Sequence, residues 1–168
     1  MTSVMQPLHD EHHELFPRLE LLRVAAEGVG TVPLPVLRQN VDAAIDFLEH
    51  SLLPHAEAEE RVLYPIVGEA LGSPRATATM SREHTEVLRR THELQSVAVR
   101  IPHATDTDLK NLRRVLYGLY AVVGLHFAKE EEIYLPVLES YLSAETAHTM
   151  FEALERAAGE AKASAHPV

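Results

Sequence analysis

The chain has 168 residues, 46% of them hydrophobic, with no cysteine and a formal charge of -10. That is long enough for one domain with a sizeable core. The lack of cysteine excludes a disulfide framework and any thiolate metal site, and the acidic balance argues against a nucleic-acid partner, which needs a basic stripe. The opening MTSVMQPLHDEHHEL has neither a basic n-region nor a continuous apolar run, so no secretory leader is expected. No stretch approaches the roughly 18 to 20 apolar residues of a membrane span. A cytoplasmic location with no membrane partner is the expectation. One count stands out: 11 histidines.

Helical periodicity runs first from about Met5 to Glu27 and stops at Gly28-Val29-Gly30, a glycine-rich C-terminal stop. A second helix is expected from about Leu34 to Ala70, with kinks or short breaks at Pro54 and Pro65. Pro136 predicts the same late in the fourth helix. Ser73-Pro74 has the character of an N-cap and first-turn pair for a third helix reaching about Arg100. After the loop IPHATDTD, a fourth helix is expected from about Asp108 to Tyr141, and a shorter fifth from about Ala144 to Glu160. No segment alternates with period two. The fold class is therefore all-α, an antiparallel up-down four-helix bundle with a short extra C-terminal helix. It forms one domain over residues 1–160, followed by a flexible tail at 161–168.

The chain repeats itself. A shift of 71 residues lays His55, Glu59, Glu60, Val62 and Pro65 on His126, Glu130, Glu131, Ile133 and Pro136. A shift of 72 lays Glu11, His12, Glu14 and Leu15 on Glu83, His84, Glu86 and Val87. Two helical hairpins of similar design are implied, each with a Glu-His pair on its first helix and a His-x-x-x-Glu on its second.

Residues i and i+4 lie about 40° apart around a helix. His55 and Glu59 thus share a face, and it is the apolar one, with Ile45, Leu48 and Leu52 before them and Val62 and Ile66 after. In the fourth helix Leu119, Val122, His126, Glu130, Ile133 and Val137 form one stripe. His12 lies among Leu8, Leu15, Leu19 and Leu22, and His84 among Met80, Val87, Leu88, Thr91 and Leu94. If the bundle closes, six ionisable groups converge inside it. Burying a lone carboxylate costs several kcal/mol unless it is paired or binds a metal. Four histidines and two carboxylates divide into two sets of two His and one carboxylate, which suits non-haem iron with open positions. Manganese is the alternative ion, and a single closed zinc site fits less well. The Glu-x-x-His of ferritin-like bundles is absent, because the residues three before these histidines are His9, Leu52, Ser81 and Val123.

LHDEHHEL, LPHAEAEERVLYP, SREHTEVL and GLHFAKEEEIYLP resemble the four ligand segments of hemerythrin-like (HHE cation-binding) domains, over residues about 5 to 140. The resemblance implies an up-down four-helix bundle around two iron ions, oxo- or hydroxo-bridged. It assigns His12 and His55 to one iron, His84 and His126 to the other, and Glu59 and Glu130 as bridges. Oxygen-carrying members have a fifth histidine on the third helix, four residues after the first. Here that position is Leu88, so the second iron is short of a ligand unless solvent, a tyrosine or another side chain fills the place. This departure points to a non-haem di-iron protein that binds or reacts with oxygen, peroxide or nitric oxide, with catalase-like peroxide removal as its enzymatic form. The alternative is a non-catalytic iron or oxygen sensor or store. The implied partner is a small diatomic ligand or peroxide, and the implied state a monomer or weak homo-oligomer.

Other polar residues receive plainer readings. Glu57, Glu60, Glu131 and Glu132 are taken as a solvated face. His9, one turn before His12, is a candidate fifth ligand or supporting partner, and His9 or His13 replaces His12 if the helix is rotated. Tyr64, Tyr117, Tyr120 and Tyr134 are taken as packing residues with an exposed hydroxyl, with one of them reaching the metal as the alternative. His50, His92, His103, His148 and His166 are assigned to the surface.

Overall fold

The computed structural model describes residues 3–164 and contains no strand among them. Five helices follow one another: α1 over residues 6–28, α2 over 34–70, α3 over Ala78–Ala98, α4 over 106–141 and α5 over Ala144–Ser164. Helix α1 packs on α2 and α4, and α3 packs on α4 and α2, so the four long helices enclose one interior. Helix α5 lies against residues 53–63 of α2.

Local chemistry explains the boundaries. Gly72 takes φ +62, and the N–H groups of Ser73 and Gly72 bond back to the carbonyls of Gly68 and Glu69. That is a Schellman closure of α2. Ser73 Oγ still accepts from the Arg75 N–H, but residues 74–77 form only a turn, and α3 begins at Ala78 rather than at the expected Ser73-Pro74. Thr105 caps α4 through a reciprocal box with Asp108, two residues earlier than the expected start. Helix α5 runs past Glu160 because Ala157 and Ala161 continue its buried face. The remainder of the expected tail, residues 165–168 with His166, lies outside the described residues.

The prolines do not break α2 or α4. Instead π-turns at Leu48–Leu52, Glu59–Leu63 and Glu130–Tyr134 precede Pro54, Pro65 and Pro136. In a regular helix the proline ring collides with the carbonyl four residues back. The wider turn relieves this, with Leu53, Tyr64 and Leu135 donating to Leu48, Glu59 and Glu130 five residues behind. Near the middle of α1, Pro17 falls in a tighter 3₁₀ turn at Phe16–Leu19.

Each π-turn has a consequence for packing. One extra residue rotates the following face by about 100°. Past Glu59 the buried residues are Leu63, Tyr64 and Val67, while the expected Val62 and Ile66 are only half-buried. Past Glu130 they are Tyr134, Leu135 and Leu138, and the expected Ile133 is 51% exposed. Leu88, also expected on a core stripe, is 44% exposed.

The apolar interior is divided in two. One cluster holds Leu15, Phe47, Leu52, Val87, Leu119 and Val123, and the other Leu8, Leu63, Val67, Met80, Leu135 and Leu138. Each of α1 to α4 therefore crosses from one cluster to the other over a short polar interval. His12 falls between Leu8 and Leu15, His84 between Met80 and Val87. His55 and Glu59 fall between Leu52 and Leu63, and His126 and Glu130 between Val123 and Tyr134.

The shifted register is testable by truncation in the metal-free chain. Leu63→Ala is expected to cost about 2–5 kcal/mol in denaturant unfolding, and Ile133→Ala less than about 1 kcal/mol. Equal costs would mean that the stripe continues in α-helical register through the π-turns.

Candidate metal centre

Glu59 and Glu130 are the first residues of two of the π-turns, and they are 1% and 0% exposed. One turn earlier on the same helices, His55 and His126 each bring Nε2 to 3.1 Å from the carboxylate that follows. From α1, His12 Nε2 lies 3.7 Å from both Glu59 Oε1 and Glu130 Oε2. From α3, His84 Nε2 lies 3.4 Å from Glu59 Oε2. The six residues singled out in the sequence thus come together. His12, His55, Glu59 and Glu130 form one group and Glu59, His84, His126 and Glu130 another, the donor atoms of each lying within 4.8 Å of one another. Both carboxylates belong to both groups.

These separations suit a cation. Metal bonds of about 2.0–2.2 Å place donors at right angles roughly 3 Å apart. Among the described residues, five buried side-chain atoms have no hydrogen-bond partner: His12 Nε2, His55 Nε2, both oxygens of Glu59 and Oε2 of Glu130. Leaving such atoms unmet costs about 1–3 kcal/mol each, more when charged. His84 Nε2 and His126 Nε2 face each other at 2.9 Å, an arrangement that requires a proton or a cation between them.

What aims the imidazoles is a closed circuit of carboxylates. Each histidine turns its Nδ1 toward a glutamate on the neighbouring helix, and a carboxylate can only accept, so Nδ1 carries the hydrogen and Nε2 points inward. Glu11 of α1 takes His55 at 3.0 Å, and Glu60 of α2 takes His84 at 2.8 Å. Glu83 of α3 takes His126 at 2.9 Å, and Glu131 of α4 takes His12 at 2.6 Å. Every lender sits next in sequence to an inward residue: Glu11 by His12, Glu60 by Glu59, Glu83 by His84, Glu131 by Glu130.

Several sequence expectations need correction on this geometry. Glu60 and Glu131 are not a solvated face but half-buried partners of ligand-type histidines. The internal repeat carried that signal, because it aligns Glu60 with Glu131 and Glu11 with Glu83. Tyr64 does not expose its hydroxyl: the residue is 3% exposed. Its O–H donates to Glu130 Oε1 at 2.8 Å and stands 3.3 Å from both His84 Nε2 and His126 Nε2. A tyrosine therefore stands beside the pair of histidines where the sequence left a place open, while Leu88 lies on the surface. Tyr134 is also buried and donates to the Ala76 carbonyl. His9 is not in the cluster. It bonds the same Glu131 that holds His12, and His13 faces outward. His92, His103 and His148 are exposed and His50 half-buried.

The field inside the cluster is strong. Burial alone would lower the pKa of His12, His55 and His126. The carboxylates overcome it, Glu59 for His12 and His55 and Glu130 for His126, and all three are raised. Burial opposes the charge on Glu59, yet His55 and then His12 hold its pKa well below the usual range. Burial and then the charges of Glu59 and Glu130 push the Tyr64 phenol far upward, so it remains a donor.

A family model described as the hemerythrin HHE cation binding domain matches residues 4–138, and a second match covers 76–166. The starts at residues 4 and 76 differ by the same shift of 72 that superposes the two Glu-His pairs. Comparison with curated proteins and with solved structures gives no match.

Two outcomes follow. Glu60→Gln or Glu131→Gln should weaken metal affinity about 10–100-fold in competition titrations while leaving the number of ions bound unchanged. The pH response of the metal-free chain has a defined sign. Raised imidazoles contribute stability that is complete below about 6.5 and lost as pH rises through their folded values. The lowered Glu59 contributes above about 4.3 and loses its contribution on acidification. Thermal melts should therefore give a lower Tm at pH 9 than at pH 6 without metal, and this fall should vanish with metal, whose binding displaces the protons.

Proposed function

The chain belongs to the hemerythrin HHE cation-binding domain family, and from that premise we propose that it is a non-haem di-iron protein of oxygen and peroxide chemistry. His12 and His55 would hold one ion and His84 and His126 the other, with Glu59 and Glu130, common to both groups, available to each. The observation that carries this reading is the set of five partnerless, fully buried donor atoms, all on these residues and all in one polar layer. Iron fits the donor set better than zinc, because two sets of imidazoles with shared carboxylates leave coordination positions open. Manganese fits the same set. Packing of each long helix on its chain neighbours, with connections no longer than the seven residues between Ala70 and Ala78 and between Ala98 and Asp106, supports an antiparallel up-down order.

When bound, such an ion pair supplies Lewis acidity and electron exchange for a small oxidant. The chain's own residues do the rest. Glu11, Glu60, Glu83 and Glu131 fix the tautomer and direction of the four imidazoles. Tyr64 presents a hydroxyl at the His84 and His126 side, hydrogen-bonded to Glu130. Phe127 closes the other side, its ring centroid 4.9 Å from that of His12 and 6.0 Å from that of His55. That ring covers the apolar flank of His12.

Anaerobic loading with ferrous iron should give about two ions per chain. Loss of peroxide by the loaded wild type should exceed that of a His55→Ala, His126→Ala double variant by at least about tenfold. Equal rates would overturn peroxide removal as the activity, and fewer than about one iron per chain would overturn the metal reading.

A further inference from the structure

A cleft of about 410 Å³ opens between α1, α2 and α5. His55 and Glu59 lie at its floor, and their inward nitrogen and both carboxylate oxygens lack hydrogen-bond partners. Its rim carries Asp10, Glu11, Glu14 and Glu155 against one lysine, Lys162. Asp10 accepts from the Gln6 amide and Glu11 holds His55. The wall on α5 sets the small Ala158 and Gly159 beside Phe151 and Leu154. Gly159 lies inside a helix of 21 residues, where glycine costs about 1 kcal/mol against alanine. A Cβ there would meet nothing within 4 Å, so the fold itself does not demand a glycine.

We propose that this cleft is the loading port through which a hydrated divalent cation reaches the buried cluster; the inference rests on the metal-binding reading above. A rim of one sign above a low-dielectric floor concentrates counter-ions. Six waters at about 30 Å³ each occupy roughly 180 Å³, so an aquated ion fits within the 410 Å³ available. The partnerless donors on Glu59 and His55 that replace its water lie just behind this floor, facing the cluster, so the ion reaches them by passing between the two side chains. The cleft over His12 is different in kind: Phe16, Pro17, Phe127 and Ala128 line it with His12, His13 and Glu131, so one acid faces it where four stand on the rim of the port. Gly159 keeps the port open.

The test is the rate of anaerobic ferrous loading into the metal-free full chain, followed by quenching into a chromophoric chelator, with the final iron content measured separately. Neutralising the rim (Asp10→Asn, Glu14→Gln, Glu155→Gln) is expected to slow loading roughly tenfold at low ionic strength and to abolish most of its salt dependence. Lys162→Gln should accelerate it. Gly159→Leu should slow loading at every salt concentration while Tm stays equal or rises. Final iron content should remain that of the wild type in all three. The proposal is overturned if the rim variant and Gly159→Leu load at the wild-type rate. It is equally overturned if neutralising Glu69, Glu139 and Glu145, outside the cleft, slows loading as much. A wild type that takes up no iron at equilibrium would instead overturn the metal reading itself.

Discussion

Two carboxylates in the middle of a helical bundle govern this molecule. Glu59 and Glu130 are fully buried, and three of their four oxygens have no hydrogen-bond partner. Native stability is only about 5–15 kcal/mol, and an uncompensated buried charge consumes several of these. The compensation at hand is imidazole, and four of them stand around the pair. With protons alone the layer remains strained: like charges among the imidazoles oppose one another, and His84 faces His126 across 2.9 Å. A cation bound there would satisfy the oxygens and nitrogens together. The atoms left unmet in the metal-free fold are the ones such a cation would meet, so metal binding would be coupled to folding.

The circuit of lending glutamates turns this cluster into a property of the whole bundle. Each helix orients the histidine of the next, so no helix can rotate without misaiming a neighbour. The duplication makes the circuit nearly two-fold symmetric, yet its outer neighbours are not. Lys129 pairs with Glu83, where the repeat offers Ala58; His9 bonds Glu131 where the repeat offers Ser81, which bonds Glu60. Phe127 answers to Ala56 and Tyr64 to Leu135. One end of the polar layer is consequently walled by a phenyl ring and the other carries a phenol hydroxyl. Two otherwise equivalent halves thereby acquire different polarity.

Much of this was legible in the residues. The helices, their connections and the six converging side chains follow from 3.6-residue periodicity and the repeat, because His12, His55, His84 and His126 occupy positions that periodicity assigns to the interior. The circuit was half visible: Glu11, Glu60, Glu83 and Glu131 repeat as faithfully as the inward residues, but adjacency in sequence made Glu60 and Glu131 look like a solvated face and left Glu11 and Glu83 without a role. An i,i+1 neighbour points about 100° away, which in a four-helix ring is toward the next helix and not toward water. The α3 start was misplaced because Ser73 and Gly72 serve the end of α2 first.

The registers of α2 and α4 escaped sequence reading for a deeper reason. A period of 3.6 has no place for an inserted residue, so extrapolating from Glu59 selects Val62 and Ile66 and from Glu130 selects Ile133 and Val137. Pro65 and Pro136 each stand six residues after the buried glutamate, and their rings exclude the regular turn that this extrapolation assumes. The helix widens instead, beginning at the glutamate itself. Residues 64 and 135 are thereby swung inward, and one is tyrosine while the other is leucine. The hydroxyl on Glu130 thus owes its place to a proline that touches nothing in the site. The π-turn that begins at Glu59 thus delivers Tyr64 not to its own acid but across the bundle to Glu130, a contact that an uninterrupted α-helical register would turn away.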